Sequence, residues 1–289
     1  MKRILITGAN SYIGTSFENY MKKYDGYSID TLDMIDGSWR EKDFSGYDVV
    51  FHVAGIAHAD VGKVSDDVKK KYYDVNTDLT VEVCKKAKKD GVTQFIFMSS
   101  IIVYGSKNEV ITKNTVPMPD NFYGDSKLQA DLKIHELKSS DFNVVSIRPP
   151  MIYGKNSKGN YPKLIKLAKC VPTFPEYSNQ RSMLYIENLC EFIKIIIDNN
   201  EKGYFYPQNK EYVNTSNLVK RVSEIYGKKV VFTKIFNPFI RVFKIHPLVN
   251  KLFGNLMYDM KMSDYKNFSY CIYDFDESIR LTEEKLWKF

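Results

Sequence analysis

The 289-residue sequence holds only four cysteines, Cys84, Cys170, Cys190 and Cys271, and no two of them make a C-x-x-C pair. Thiols this far apart exclude a disulfide framework or a cysteine zinc site, and they suit a reducing cytoplasm. No metal cluster is expected. A run of about 18 apolar residues, the length that spans a bilayer, is also absent. The basic start Met1-Lys2-Arg3 leads into Ile4-Leu5-Ile6, but that stretch ends at once in Thr7-Gly8. It reads as a strand rather than a signal peptide. There is no internal repeat and no low-complexity linker. Charge of one sign is not concentrated in any nucleic-acid recognition motif. The net +7 from 42 basic and 35 acidic residues includes lysines 69–71 and 85–89, which lie along helical patterns as solvated faces. That balance suits an anionic ligand and gives no reason to expect nucleic acid.

Apolar residues make up 44% and charged residues 27%, an ordinary globular balance. The length favours one main domain, residues 1–150, and a smaller part, residues 151–289. In the first half, strand patterns at 3–7, 28–33, 48–54, 94–100 and 143–147 alternate with helical patterns at 13–23, 66–90 and 123–138. Near-continuous apolar strands separated by amphipathic helices predict a Rossmann-type, doubly wound α/β sheet, parallel and covered on both faces. Beyond Arg148-Pro149-Pro150 strands become sparse and Pro, Gly and Asn fill the loops. This second part is expected to be mostly helical, to bind substrate, and to be partly interleaved with the sheet. Its stretch 237–260, apolar and basic together, reads as a buried helical lobe around the ligand. The alternative is a surface that rests on a membrane.

The first strand runs into Thr7-Gly8-Ala9-Asn10-Ser11-Tyr12-Ile13-Gly14 and then a helix. A tight strand-to-helix turn needs glycine where φ is positive and where backbone approaches a pyrophosphate, and the helix N-terminus offers free N–H groups to that anion. Gly8 and Gly14 hold the outer places, with Ser11 where a middle glycine is usual. Asp33 follows nineteen residues after Gly14, at the end of the next strand. A carboxylate there accepts hydrogen bonds from an adenosine ribose and repels a 2′-phosphate. No basic residue follows until Arg40, so NAD is favoured over NADP. Asp30 and Asp36 are rival candidates, and Asp43-Phe44 falls where adenine would lie unless Phe44 is simply packed.

Tyr123 and Lys127 stand four apart at the start of a helix, on one face. An ammonium beside a phenol, with a cationic nicotinamide near both, would lower the phenol pKa and fit it for proton transfer. Ser100 ends a strand, where ligands of open α/β sheets bind, and is the expected third member. His52 reads as core, and His58 as a residue able to reach the nicotinamide edge.

These segments together, with Val53-Ala54-Gly55, Asn76, Ser100 to Gly105, Tyr123 to Lys127 and Arg148 to Gly154, resemble the extended short-chain dehydrogenases, the NAD-dependent epimerase/dehydratase family of UDP-glucose 4-epimerase-like enzymes. The resemblance weakens after about residue 235. It implies bound NAD, a nucleotide-sugar substrate, usually UDP-linked, and a homodimer. Ser100, Tyr123 and Lys127 match the catalytic trio. Gly8, Asn10, Ser11, Tyr12, Ile13, Gly14, Asp33, Ala54, Gly55 and Asn76 match the cofactor side, where Lys127 would also hold the nicotinamide ribose. Arg181 matches the arginine on the diphosphate, with a surface ion pair as its alternative, and Asn160 and Phe174 match places near the phosphates and the base. Family 4,6-dehydratases carry Asp-Glu after the catalytic hydroxyl, whereas Ile101 and Ile102 stand here. A 4-epimerase is therefore the first expectation, a 4-keto-6-deoxy-sugar reductase the second, and a non-catalytic NAD-binding regulator the third.

Overall fold

The computed structural model describes residues 1–57 and 64–284. His58 lies outside the described residues. The chain forms two compact units: Met1–Lys107, Thr115–Pro149 and Leu189–Pro207 make the first, and Asn108–Asn114, Pro150–Asn188 and Gln208–Phe289 the second.

In the first unit, strands β1 (Lys2–Thr7), β2 (Tyr27–Leu32), β3 (Val49–His52) and β4 (Gln94–Met98) join the strands Asn143–Ile147 and Gly203–Phe205. The six are parallel, and their order across the sheet is Gly203–Phe205, Asn143–Ile147, β4, β3, β1, β2. Register places Leu5, Val50, Phe95 and Val144 in one row across four strands. All four are at most 1% exposed and belong to one core cluster. The alternate residues Ile4, Ile6, Val49, Phe51, Ile96 and Val145 are buried on the other face. A sheet buried on both faces is what the unbroken apolar strands require.

Helix α1 (Tyr12–Met21) buries Gly14, Phe17, Tyr20 and Met21, a single stripe at helical spacing, and Phe17 meets Phe51 edge-on with ring centres 5.3 Å apart. The pattern over 66–90 predicts one long helix. The structure divides it into α2 (Asp66–Tyr73), a wide π turn (Asp74–Asp78) and α3 (Leu79–Lys89). The extra residue of the wide turn directs both Asn76 and Thr77 at Ser126, through bonds of 3.1 Å to its hydroxyl and 2.7 Å to its carbonyl. Wide turns of this kind are often found at functional sites. Helix α4 (Phe122–His135) turns Lys127, Ala130, Asp131 and Ile134 inward at i, i+3, i+4, i+7 spacing. Two charges on a buried stripe are costly unless each is partnered.

The second unit is built around short parallel pairs, Met151–Tyr153 with Met183–Tyr185, Thr173–Pro175 with Val231–Thr233, and Val110–Ile111 with Met257–Tyr258. Helices Asn160–Cys170, Thr215–Ile225 and Phe275–Glu283 accompany them. The stretch 237–260 is not uniformly buried as the sequence suggests. Ile240, Phe253, Met257 and Tyr258 are inside, but Phe239, Val242, Phe243 and Ile245 face outward. No helix among the described residues is long and apolar enough to cross a membrane.

Candidate active site

Strand order reverses around β1, whose neighbours are β2 and β3. Such a switch point opens a crevice at the carboxyl ends of the strands. Gly8 sits there with φ +113°, and a Cβ on it would lie 2.6 Å from the Ala54 nitrogen. No L side chain fits at that approach of two strand ends. Its N–H, and that of Ala9, donate to the Leu32 carbonyl at 2.9 and 3.1 Å, which ties the turn to the end of β2. Asn10 is left-handed, with φ +62°. Ser11 takes the place of the middle glycine as the N-cap of α1, its hydroxyl accepting from the Gly14 N–H at 3.1 Å. Helix geometry then leaves the Tyr12 and Ile13 N–H groups without intrahelical acceptors. A Cβ on Gly14 would come within 3.1 Å of both Ile6 and Val53.

Asp33 follows β2 directly and is exposed. One of its oxygens accepts from the Ile35 N–H at 2.8 Å. Asp30 accepts from the Tyr47 hydroxyl at 2.7 Å and Asp36 from the Ser38 N–H and hydroxyl, each through one oxygen, as Asp33 does. Arg40 is held by Glu82 in a two-pronged pair at 2.5 and 2.6 Å. Phe44 is fully buried in the core, so packing accounts for it.

At the ends of β3 and β4 the remaining first-unit residues meet. Ser100 accepts from the Ile102 N–H at 3.3 Å as the cap of a short 3₁₀ turn, and its hydroxyl lies near enough to the Tyr123 phenol to lower that group's pKa. The Tyr72 ring stands edge-on to Tyr123, centres 6.1 Å apart. Lys127, 5% exposed, donates to the Met98 carbonyl at 3.0 Å and lies 4.6 Å above the Phe97 ring. A Cβ on Gly55 would be 3.0 Å from both the Lys127 ammonium and the Asn76 carbonyl oxygen. Asn76 grips the loop after β3 through Ile56, accepting from its N–H at 2.8 Å and donating to its carbonyl at 3.1 Å.

Burial pushes the Tyr123 phenol up to about 12, against the Ser100 hydrogen bond, which lowers it, and with a smaller upward push from Tyr72. Burial brings the Lys127 ammonium down to about 8, with Asp131 opposing. The sequence pattern predicts a phenol lowered by its neighbouring lysine. The protein alone does not do this, because Lys127 is turned to the Met98 carbonyl and the Phe97 face. Any lowering of the phenol would need a further cation beside it.

Two features escaped the sequence reading. Asp131, fully buried, accepts from Ser99 at 2.8 Å and pairs with buried Arg148 at 2.9 Å, while Arg148 donates to the Tyr104 hydroxyl at 2.9 Å. Its one signal was its place four residues after Lys127. The second is a polar chain behind the turn. Thr80 donates to the Asn76 carbonyl at 2.8 Å, so it accepts from His52 Nε2–H at 3.1 Å, and Thr7 donates to Nδ1 at 2.7 Å. Burial, with Lys127 adding, lowers His52 to about 3 and keeps it neutral. His52 is core, as its apolar strand implies.

Asn160, Phe174 and Arg181 belong to the second unit. Asn160 opens its helix behind Gly159, which has φ +92°. Phe174 is 2% exposed and packed against Phe232 and Phe253. Arg181 is not a surface ion pair: it donates to the Gly254 carbonyl at 3.1 Å, its backbone pairs with Val213, and burial lowers its pKa. No carboxylate among the described residues lies within ion-pair distance of it.

The cradle at Gly8, the open amides of Tyr12 and Ile13 and the free oxygen of Asp33 fit a dinucleotide. Residues 4–212 match the NAD dependent epimerase/dehydratase family. The chain is 28% identical to the UDP-glucose 4-epimerase of Vibrio cholerae, over 90% of this chain and 88% of that one. It is 29% identical to the N-acetyl-alpha-D-glucosaminyl-diphospho-ditrans,octacis-undecaprenol 4-epimerase of Escherichia coli O157:H7, over 78% of this chain and 73% of that one. The solved UDP-N-acetylglucosamine 4-epimerase of Bacillus cereus superposes with a TM-score of 0.76 at 17% identity, covering 98% and 96% of the two chains. That last likeness speaks for the fold. Match, fold and cradle agree, and the chain belongs to the NAD-dependent epimerase/dehydratase family, with NAD as its cofactor.

Proposed function

We propose that the protein is a UDP-hexose 4-epimerase. The observation that carries this is the Ser100–Tyr123 hydroxyl pair beside buried Lys127, followed by Ile101 and Ile102 in place of an acid and a base. A hydroxyl pair can take and return a proton at one sugar oxygen. Without adjacent carboxylates nothing there protonates a leaving hydroxyl, so loss of water is not supported.

Tyr123 accepts the C4 hydroxyl proton while Ser100 hydrogen-bonds the same oxygen and keeps it in place. NAD, when bound, would supply the hydride acceptor and donor. Inversion requires the 4-keto sugar to turn over so that hydride returns to the other face of C4, while Tyr123 gives the proton back to the C4 oxygen, and the balance is an isomerisation with no net redox change. Lys127 would hold the nicotinamide ribose, and Asp33 the adenosine ribose. Arg181, a partly buried guanidinium lacking a carboxylate, is suited to the diphosphate, and the first turn after Asn160 offers amides to the same group. The Vibrio cholerae and Escherichia coli relatives are both 4-epimerases, which supports the C4 assignment. The reading includes a cytoplasmic location and a homodimer, the latter checked by sedimentation.

Purified protein without added NADH is incubated with UDP-glucose, UDP-galactose and their N-acetyl forms, and C4 configuration is followed by NMR. Interconversion is expected. No reaction with any of the four, together with stoichiometric NADH oxidation on a UDP-4-keto-6-deoxy sugar, would replace this reading by the reductase.

A further inference from the structure

Between Glu224 and Asp259 the sequence has no acidic residue and six basic ones, Lys228, Lys229, Lys234, Arg241, Lys244 and Lys251. The whole chain carries only +7, so most of its net charge sits in this one stretch. Two of the six are partly neutralised, Lys244 by Glu109 at 2.7 Å and Lys234 by Glu176 at 3.8 Å. Arg241, Lys228, Lys229 and Lys251 have no carboxylate within ion-pair distance among the described residues.

The same stretch exposes large apolar side chains. Phe239 is 64% exposed, Val242 69%, Phe243 57%, Ile235 75% and Ile245 93%. Phe236, Phe239 and Phe243 are the only phenylalanines more than a third exposed among the described residues. Positions 239, 242 and 243 share one face of the helix Asn237–Phe243, while Ile240, 7% exposed, faces inward. The helix is thus apolar on both sides, with Arg241 on it and Lys244 at its C-terminal end.

We infer that this face docks the protein onto an anionic lipid surface. Side chains exposed by more than half stand proud of the surface and do not line a groove. That is the form in which apolar groups enter the boundary between headgroups and acyl chains, with cations reaching lipid phosphates beside them. A second copy is a poorer occupant. A two-fold contact sets the same patch against itself and brings like charges together. The inference rests on surface chemistry and does not depend on which sugar the enzyme takes.

Full-length protein is floated with vesicles of phosphatidylcholine, with and without phosphatidylglycerol, at low and high salt. Binding is expected only with the anionic lipid, and salt weakens it. Arg241→Gln should reduce partitioning roughly fivefold, and Phe239→Ser by about tenfold or more. Both variants should keep wild-type circular dichroism and NAD affinity, since neither side chain is packed. The inference is overturned if wild type does not float with anionic vesicles or floats equally with neutral ones. It is also overturned if both variants bind as wild type does. Sedimentation showing a dimer that Phe239→Ser dissolves would assign the face to a second copy instead.

Discussion

Replacing Asp131 by Asn tests whether the buried pair behind the candidate site holds it together. The amide oxygen can still accept from Ser99, so the substitution removes chiefly a charge. Arg148, 4% exposed, then keeps its hydrogen bond to Tyr104 but loses the carboxylate at 2.9 Å. Breaking a buried pair by removing one partner costs about 3–5 kcal/mol, because the other charge stays desolvated. In a chain of this size that corresponds to a melting temperature lower by roughly 6–20 °C. Urea unfolding can be followed through Trp39, 1% exposed in the first-unit core. The double variant Asp131→Asn/Arg148→Met removes both charges and should recover at least about half of the loss, since an apolar replacement of a buried pair is often neutral. Activity carries a second signature. Asp131 holds up the Lys127 ammonium against burial, so the pH at which Lys127 loses its proton should fall in the single variant. A loss under about 1 kcal/mol, or a double variant that costs the sum of the two singles, would refute the reasoning.

Tyr123→Phe should cut turnover by roughly a hundredfold or more while calorimetry finds NAD affinity unchanged, and Ser100→Ala should lose less; full rate in Tyr123→Phe would move the site elsewhere. Asp33→Ala should erode the preference for NAD over NADP, measured by calorimetry with both. Arg181→Ala should raise the KM for the nucleotide sugar roughly ten- to a hundredfold, with NAD binding unaffected. Lys127 has a folded pKa of about 8, below its ordinary 10.5. The folded state therefore binds its proton less readily than the unfolded chain, and stability rises as pH climbs from about 8 towards 10.5. Relative to wild type, NAD-free Lys127→Met should look better at pH 7 than at pH 10, by up to about 3 kcal/mol. An equal difference at both pH values would mean that Lys127 is not buried as a cation.

The sequence by itself determined the parallel sheet, because strands buried on both faces must be written as unbroken apolar runs, and Ile4-Leu5-Ile6 or Phe95-Ile96-Phe97 have no other use. It also determined the phosphate-side turn, since Gly8 is required wherever φ is +113° and a Cβ would strike Ala54. The shared helix of Tyr123 and Lys127 was equally legible, because a four-residue spacing sets both on one face. What only the tertiary structure decided involves partners far apart along the chain. Asp30 meets the Tyr47 hydroxyl, a partner that its own strand pattern does not announce. The wide turn at 74–78 interrupts an otherwise regular helical pattern so that Asn76 and Thr77 can reach Ser126. Asp131 looked like any polar helix residue until Ser99 and Arg148 were placed against it. The outward phenylalanines of 236–243 carry the same periodicity as a buried helix. A hydrophobic pattern records spacing, and it takes the packed neighbours, or their absence, to say which face is inside.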